Sequence, residues 1–439
     1  MFVERGGLHG PGIYYGDAPE GLPDGVVRIR PGRATAEFFD RRDRKWPESV
    51  VFADLDGSRI AVPFSATGDL DIDVVATTFY FLSGWQELVP GPRDEHGRFL
   101  FKESFQARFR TRDVPVVDCM RRLLADALRE RGAALERKTW GGSSWAFCPT
   151  HDIDYLRKWR RGIYWREVVL DGLLNRRHER PTRRVRRIAR AAGALVSRGD
   201  PYESASYRMI DEVRRRDGRS TYFLKAGATA PHDVRMDLVS KVGRRLIRAV
   251  TEAGFEIGLH PSYHASMHPD HLEDELDRLR RAAAADVRSI RSHYLRFDHP
   301  ETMRLWSTST LTEALEPTID STLGFSETAG FRHGTCLPFP LFDPDLNEAT
   351  GVWEMPLVCM ESALFNRMGL TTAEAIGETI HLLDQVRTHG GVFTGLWHNT
   401  LWDEWDAPGW GEHFTATLDR AVEGGARMDS LGGALDSWR

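Results

Sequence analysis

The chain has 439 residues, 41% of them hydrophobic and 28% charged, with a formal net charge of −5. That length exceeds one ordinary domain and allows a sizeable core. So mild a charge gives no whole-chain field for nucleic acid, and no uncharged apolar run reaches the roughly 18 residues of a membrane span. Cys119, Cys148, Cys336 and Cys359 are scattered, which argues against a CxxC zinc knuckle or a disulfide framework. Residues 1–15 lack a basic stretch followed by an apolar run, so no secretory signal is expected and the default compartment is the cytoplasm. Thirteen Trp suit sugar stacking and ordinary cores alike.

In chain order, residues 1–140 read as a first, smaller α/β domain. Short β-like runs fall at 26–29, 49–52 and 60–64, followed by apolar residues at helical spacing over 74–88 and 116–131. No catalytic constellation stands out there. Residues 141–144 (Gly-Gly-Ser-Ser) read as a linker. From 141 to 439 strands and helices alternate: strands at 145–148, 220–224, 255–259 and 294–297, with similar segments at 318–321 and 391–397. Helices fall at 205–216, at 236–253 with Gly254 as the cap, and at 269–285. This pattern predicts a parallel α/β barrel or an open α/β sheet. There is no internal repeat.

The chemistry-bearing residues follow the predicted strands. Asp152 and Asp154 follow one, His260 another, Arg296 another and His398 the last. In a barrel, active-site groups gather at the carboxyl ends of the strands. Asp152 and Asp154 share a face if their strand continues. Two carboxylates behind an apolar strand are costly unless they meet a metal or a strong partner; the bland alternative is a helix cap. His260 and His264, four apart, face the same way on a helical turn, and imidazole is the commonest nitrogen ligand of a catalytic divalent metal. A surface helix with two histidines is the bland alternative. Together with one Asp they form a two-His-one-carboxylate set open to zinc, cobalt, nickel, manganese or iron. A metal with an open position activates water and polarises a carbonyl, leaving the second Asp as base. His398 at a strand end is placed to protonate a leaving amine, although a lone His is more often structural.

The order Thr150-His151-Asp152-Ile153-Asp154, His260-Pro261-Ser262-Tyr263-His264 and Leu396-Trp397-His398 resembles the polysaccharide deacetylase (NodB homology) family. The stretches at 76–83, 291–297, 320–325 and 331–336 resemble a bacterial subgroup with an extra N-terminal α/β domain. The resemblance implies a distorted (β/α) barrel over 141–439 that removes acetyl groups from sugars. It implies Asp152 as base, Asp154, His260 and His264 as ligands of one divalent metal, zinc first, and His398 as general acid. Arg296, or failing that Arg291, orients the base, and Asp320 supports it. Trp397 and Tyr263 are expected to touch the substrate. The family's two adjacent aspartates are here separated by Ile153, so the roles of Asp152 and Asp154 are open to exchange and His151 to recruitment as a ligand.

Residues 157–199 carry fourteen Lys or Arg against Glu167, Asp171 and Glu179. Val185, Ile188, Ala189, Ala192, Leu195 and Val196 interleave with the arginines. This basic helical insertion suits an anionic membrane surface, a phosphate- or lipid-linked sugar, or simple pairing with acidic neighbours; nucleic acid is disfavoured. The expected substrate is an acylated amino sugar or glycan precursor. Two alternatives remain: a metal-dependent glycosyltransferase using Asp152-Ile153-Asp154 as a DxD triplet, and a non-catalytic carbohydrate-binding relative.

Overall fold

The computed structural model describes residues 11–17, 22–39, 44–55, 58–174, 177, 180–196, 199–231, 233–309 and 317–439. Parts of the leader reading (1–10) and of the basic segment (175–176, 178–179, 197–198) lie outside the described residues. Near the N-terminus, β1 (Gly12–Tyr15), β2 (Val26–Pro31), β3 (Val51–Leu55), β4 (Ser58–Val62) and β5 (Ala66–Gly68) form a β1–β2–β5 sheet and a β3–β4 hairpin. The expected 74–88 helix is two helices, Val74–Leu82 and Trp85–Leu88. Gly84 turns the chain between them at φ +64, and a Cβ there would come within 2.9 Å of the His299 ring.

Val27, Ile29, Val62, Tyr80, Phe81 and Phe105 build an apolar cluster of this part's own. Buried hydrogen bonds join it to later residues. Val117 N–H donates to Gly334 O at 2.7 Å, Phe331 N–H to Arg112 O at 2.7 Å, and Cys336 N–H to Asp118 Oδ2 at 2.8 Å. The 141–144 stretch is an ordered turn closed by the Trp140–Ser143 bridge, with the Trp140 ring stacked on Trp438 at 4.6 Å.

The second part is one mostly parallel sheet. Its strands are β6 (Ala146–Ile153), β7 (Thr221–Leu224), β8 (Glu256–Leu259), β9 (Ser289–Ile290), β10 (Thr318–Asp320), β11 (Phe339–Asp343), β12 (Glu348–Glu354), β13 (Leu357–Met360), β14 (Val392–His398) and β15 (Arg427–Met428). The spatial order is β11-β12-β10-β9-β8-β7-β6-β14-β13, with β15 beside β6, and only β11–β12 is antiparallel. β12 and β13 lie near opposite ends of that order, yet only Met355 and Pro356 connect them. Two residues reach at most about 10 Å, so the sheet must curl until its ends approach. The result is a rolled, open barrel.

Side chains alternate across the rolled sheet. Ala146, Cys148, Phe223, Ile319 and Val392 cluster on one side with the C-terminal helix Leu431–Trp438. Phe147, Ile153, Tyr222, Leu224 and Phe393 pack on the other, against the helices. Two expected elements differ. The 294–297 strand does not form; β9 ends at Ile290 and His293–Leu295 is a 3-10 turn, so Arg291, not Arg296, follows the strand. Residues 260–264 are not a helical turn, because the chain leaves β8 extended through Pro261 and turns only at Tyr263–His264.

The basic insertion folds as a π-helical segment, Trp165–Leu173, packed against helix Pro181–Val196. Several of its cations are paired with acidic groups of the same protein. Arg187 pairs with Glu167 in the interior, Arg190 and the fully buried Lys158 pair with Asp403, and Arg177 pairs with Asp171 at 2.9 Å. No helix among the described residues is long and apolar enough to cross a membrane.

Gly258 links the sheet to the chemistry above it. A Cβ there would meet the Phe223 ring at 2.5 Å and Ser289 O at 3.0 Å, and Phe223 in turn carries the Arg291 guanidinium at 4.5 Å. Gly258→Ala is expected to cost about 1–3 kcal/mol through overpacking, read as a lower urea midpoint; an unchanged midpoint would mean that Phe223 yields freely.

Candidate active site

Parallel pairing sets Asp152 of β6 beside His398 of β14. Both face the interior, at the carboxyl ends of their strands. Asp152 is buried, and its Oδ1 accepts from Arg291 Nη1 at 3.2 Å. Its Oδ2 lies 3.7 Å from His260 Nε2 and 4.0 Å from His398 Nε2. Arg291 has no exposed surface, so its charge must be met inside. It donates to Ser321 O at 2.7 Å, Thr150 Oγ1 at 2.6 Å and Ser321 Oγ at 2.8 Å, besides Asp152.

Asp154 Oδ1 stands 3.7 Å from His260 Nε2, 3.5 Å from His293 Nε2 and 3.3 Å from Lys225 Nζ. It is buried without a hydrogen-bond partner among the described residues. Both imidazoles are fixed from behind. His260 Nδ1 lies 2.7 Å from Arg291 O and must donate to it, since a carbonyl can only accept. His293 Nδ1 lies 2.8 Å from Asp233 Oδ1. Each arrangement leaves an Nε2 lone pair facing Asp154, the usual preparation of a metal-binding histidine. One atom each from Asp154, His260 and His293 falls within 4.8 Å of the others, and an N,N,O donor set of this kind fits a divalent transition metal. Lys225, 1% exposed, enters the same space with its Nζ 2.8 Å from His293 Nε2. Burial alone would raise the Asp154 pKa, but the neighbouring His293 ring and the Lys225 charge hold it well below the usual range.

His398 Nδ1 lies 3.0 Å from Glu361 Oε1. Burial alone would lower the His398 pKa, yet Glu361, with Asp154 and Asp152 behind it, outweighs that and pushes it up to about 10. Its imidazolium is therefore the stable form through neutral pH.

Asp152, Asp154, His260 and His398 come together as the sequence leads one to expect; the remaining candidates are placed differently. His264 stands beyond the turn, with its backbone N–H on Thr229 Oγ1 at 2.9 Å and its ring against Tyr263 and His268. His293 takes the place among the donors expected of His264. Arg296 donates to His96 O at 3.0 Å and lies over the Tyr263 ring, while Arg291 holds Asp152. His151 and Trp397 point to the opposite face of the sheet by strand alternation. His151 packs on Tyr222 and Phe414, and burial, with Arg291 nearby, pushes its pKa down to about 3. Trp397 is 1% exposed among Phe147, His413 and Phe414, which excludes direct substrate contact.

Tyr263 is half-buried, its hydroxyl 3.2 Å from His96 Nδ1. His96 and Arg98 bring the N-terminal part to this rim, Arg98 donating to Tyr294 O at 2.8 Å. Asp320 is buried and accepts from Thr322 N–H and Oγ1. Burial pushes it up to about 6, and burial with Asp320 alongside raises Glu354 well above the usual range.

The sequence reading missed His293, Lys225, Asp233 and Glu361. His293 and Lys225 each follow a strand end closely, which was a usable signal; Asp233 and Glu361 carry none. Just after His293, Tyr294 and Leu295 both adopt positive φ, 63° and 53°. Such backbone costs on the order of 1–3 kcal/mol per residue and gathers at functional sites.

A model of a family of unknown function, DUF7033, matches residues 11–133. No curated protein matches the chain. Among solved structures, a candidate polysaccharide deacetylase from Mycobacterium smegmatis is 17% identical with a TM-score of 0.43, covering 68% of this chain and 91% of that one. A second candidate polysaccharide deacetylase, from Pseudomonas aeruginosa PAO1, is 13% identical with a TM-score of 0.43, covering 68% and 92%. A CE4 family pseudoenzyme from Bacillus anthracis is 12% identical with a TM-score of 0.35, covering 69% and 70%. At these values the function has to be read from the side chains themselves.

His293→Ala is expected to remove bound metal and His264→Ala to retain it, as measured by elemental analysis of the purified chain. The reverse result would restore His264 as the ligand.

Proposed function

We propose that this chain is a metal-dependent hydrolase that removes an acyl group, N-acetyl foremost, from a sugar or glycan precursor. The observation that carries this reading is the pairing of two opposed proton-transfer groups around one donor set. Asp152 backed by Arg291 and His398 backed by Glu361 face each other beside Asp154, His260 and His293.

Asp154, His260 and His293 would hold the cation, zinc first, with cobalt, nickel, manganese or iron as alternatives. When bound, it supplies Lewis-acid polarisation of the acyl carbonyl and activation of water. Asp152 takes the proton of the attacking water through Oδ2, while Arg291 fixes its Oδ1. His398 gives the Nε2 proton to the departing amine or alcohol, and Glu361 holds the imidazolium in place. Tyr263, at the rim with His96, is the aromatic surface offered to a sugar ring. The division near residue 140, a cytoplasmic location, a phosphate- or lipid-linked substrate and peripheral contact with an anionic membrane belong to the same proposal. For the last, Trp165, Leu173, Leu174 and Val185 of the basic insertion are exposed.

One observation favours a second reading. The Lys225 ammonium sits against His293 Nε2 and Asp154 Oδ1, where a built-in cation would suit a sugar binder without hydrolytic activity. A DxD transferase asks both carboxylates to serve one cation, and here Asp152 is engaged by Arg291.

Acetate release from N-acetylated sugars separates these readings. Metal-supplemented wild type is expected to release acetate, and Asp152→Asn to lose roughly 10²–10⁴-fold in kcat, the usual worth of a general base, while keeping its metal. A wild type that takes up no metal at this site and releases no acetate would leave the binder. The pH profile checks the acid. His398 is active protonated, so activity should fall as pH rises through its pKa. Glu361→Gln should move that alkaline limb to lower pH, and an unmoved limb would remove His398 from the role.

A further inference from the structure

A second cluster lies where the N-terminal part meets the sheet. Glu87, His299 and His333 each offer one ligand atom, and the three atoms fall within 4.8 Å of one another. Glu87 comes from helix Trp85–Leu88, His299 from the loop after Arg296, and His333 from the loop before β11. All three side chains are buried, His299 at 3% exposed and His333 at 2%. Neither ring nitrogen of either histidine has a hydrogen-bond partner among the described residues. A buried imidazole carries a donor and an acceptor that both need partners, so two such rings facing one carboxylate call for a common one.

The surroundings are built for that geometry. Arg332 Nε and Nη2 hold Glu87 at 2.7 and 2.5 Å, which fixes the carboxylate yet leaves it lone-pair capacity. His299 Nε2 stands 3.7 Å from Glu87 Oε2, and the two imidazole centroids are 5.9 Å apart. Phe297 and Phe339 wall the rings at 4.6 and 5.6 Å. Gly84 permits the close approach of the His299 ring, which any Cβ would crowd.

We propose that Glu87, His299 and His333 bind a divalent transition metal, zinc foremost, that ties the N-terminal part to the rolled sheet. Two imidazole nitrogens and one carboxylate oxygen are the donors such an ion prefers. The site shares no residue with the Asp154 group and does not rest on the proposed hydrolase activity.

The test is elemental analysis of the full chain after zinc loading and desalting, for wild type and two double variants. Wild type is expected to hold two equivalents, and His299→Ala/His333→Ala and His260→Ala/His293→Ala one each. A wild type holding a single equivalent, lost only with His299 and His333, would sustain this site and sink the one at Asp154. Equal zinc in wild type and His299→Ala/His333→Ala would overturn the proposal. If that variant does not fold, the His260→Ala/His293→Ala protein decides alone. Zinc should raise its melting temperature and remain bound at one equivalent; no bound zinc and no shift would overturn the site.

Discussion

A fully buried guanidinium organises this protein. Arg291 leaves β9 with no exposed surface, where an unpaired charge would cost several kcal/mol. Its donors reach Thr150 and Asp152 on β6 and Ser321 after β10, its face rests on Phe223 of β7, and its carbonyl takes the Nδ1 proton of His260 after β8. Four strand ends are thereby held in register by one residue. The same contacts orient Asp152 and select the His260 tautomer. Stability and chemistry draw here on one network, and the small residue at Gly258 is part of what lets Phe223 lie under it.

Around that centre, each imidazole is assigned its state by a partner on its far side. His260 leans on a backbone carbonyl, His293 on Asp233 and His398 on Glu361. The first two have lone pairs turned inward, whereas His398 is held as an imidazolium. Three histidines within one cavity thus have two different jobs. Lys225 adds a fixed positive charge to the donor group, so any cation entering there meets competition for Asp154.

The N-terminal part is more than an appendage. It reaches the rim through His96 and Arg98 and lies against the sheet through Asp118, Gln106 and Glu87. The basic insertion, by contrast, pairs Lys158, Arg177, Arg187 and Arg190 with acidic groups of the same protein, so its composition overstates the charge it presents to a partner.

The strand–helix alternation, the ends of β8 and β14, and the placing of Asp152, Asp154, His260 and His398 near strand ends were legible in the chain, because hydrophobic periodicity is a local property; β6 runs further than expected, to Ile153. Period-two alternation also carried the fact that His151 and Trp397 face away from Asp152 and His398, though their proximity in sequence suggested otherwise. The choice of His293 over His264 and of Arg291 over Arg296 was not legible. It turns on where β9 stops and how the chain leaves β8 past Pro261, and both are set by pairing and packing with distant strands. The partners Asp233, Glu361 and Lys225, and the meeting of Glu87 with His299 and His333, join residues tens to hundreds of positions apart. The sequence by itself determined the strand–helix alternation and the ionisable groups at the ends of β6, β8 and β14; only the rolling of the sheet decided which groups meet, because burial and charge pairing act through space.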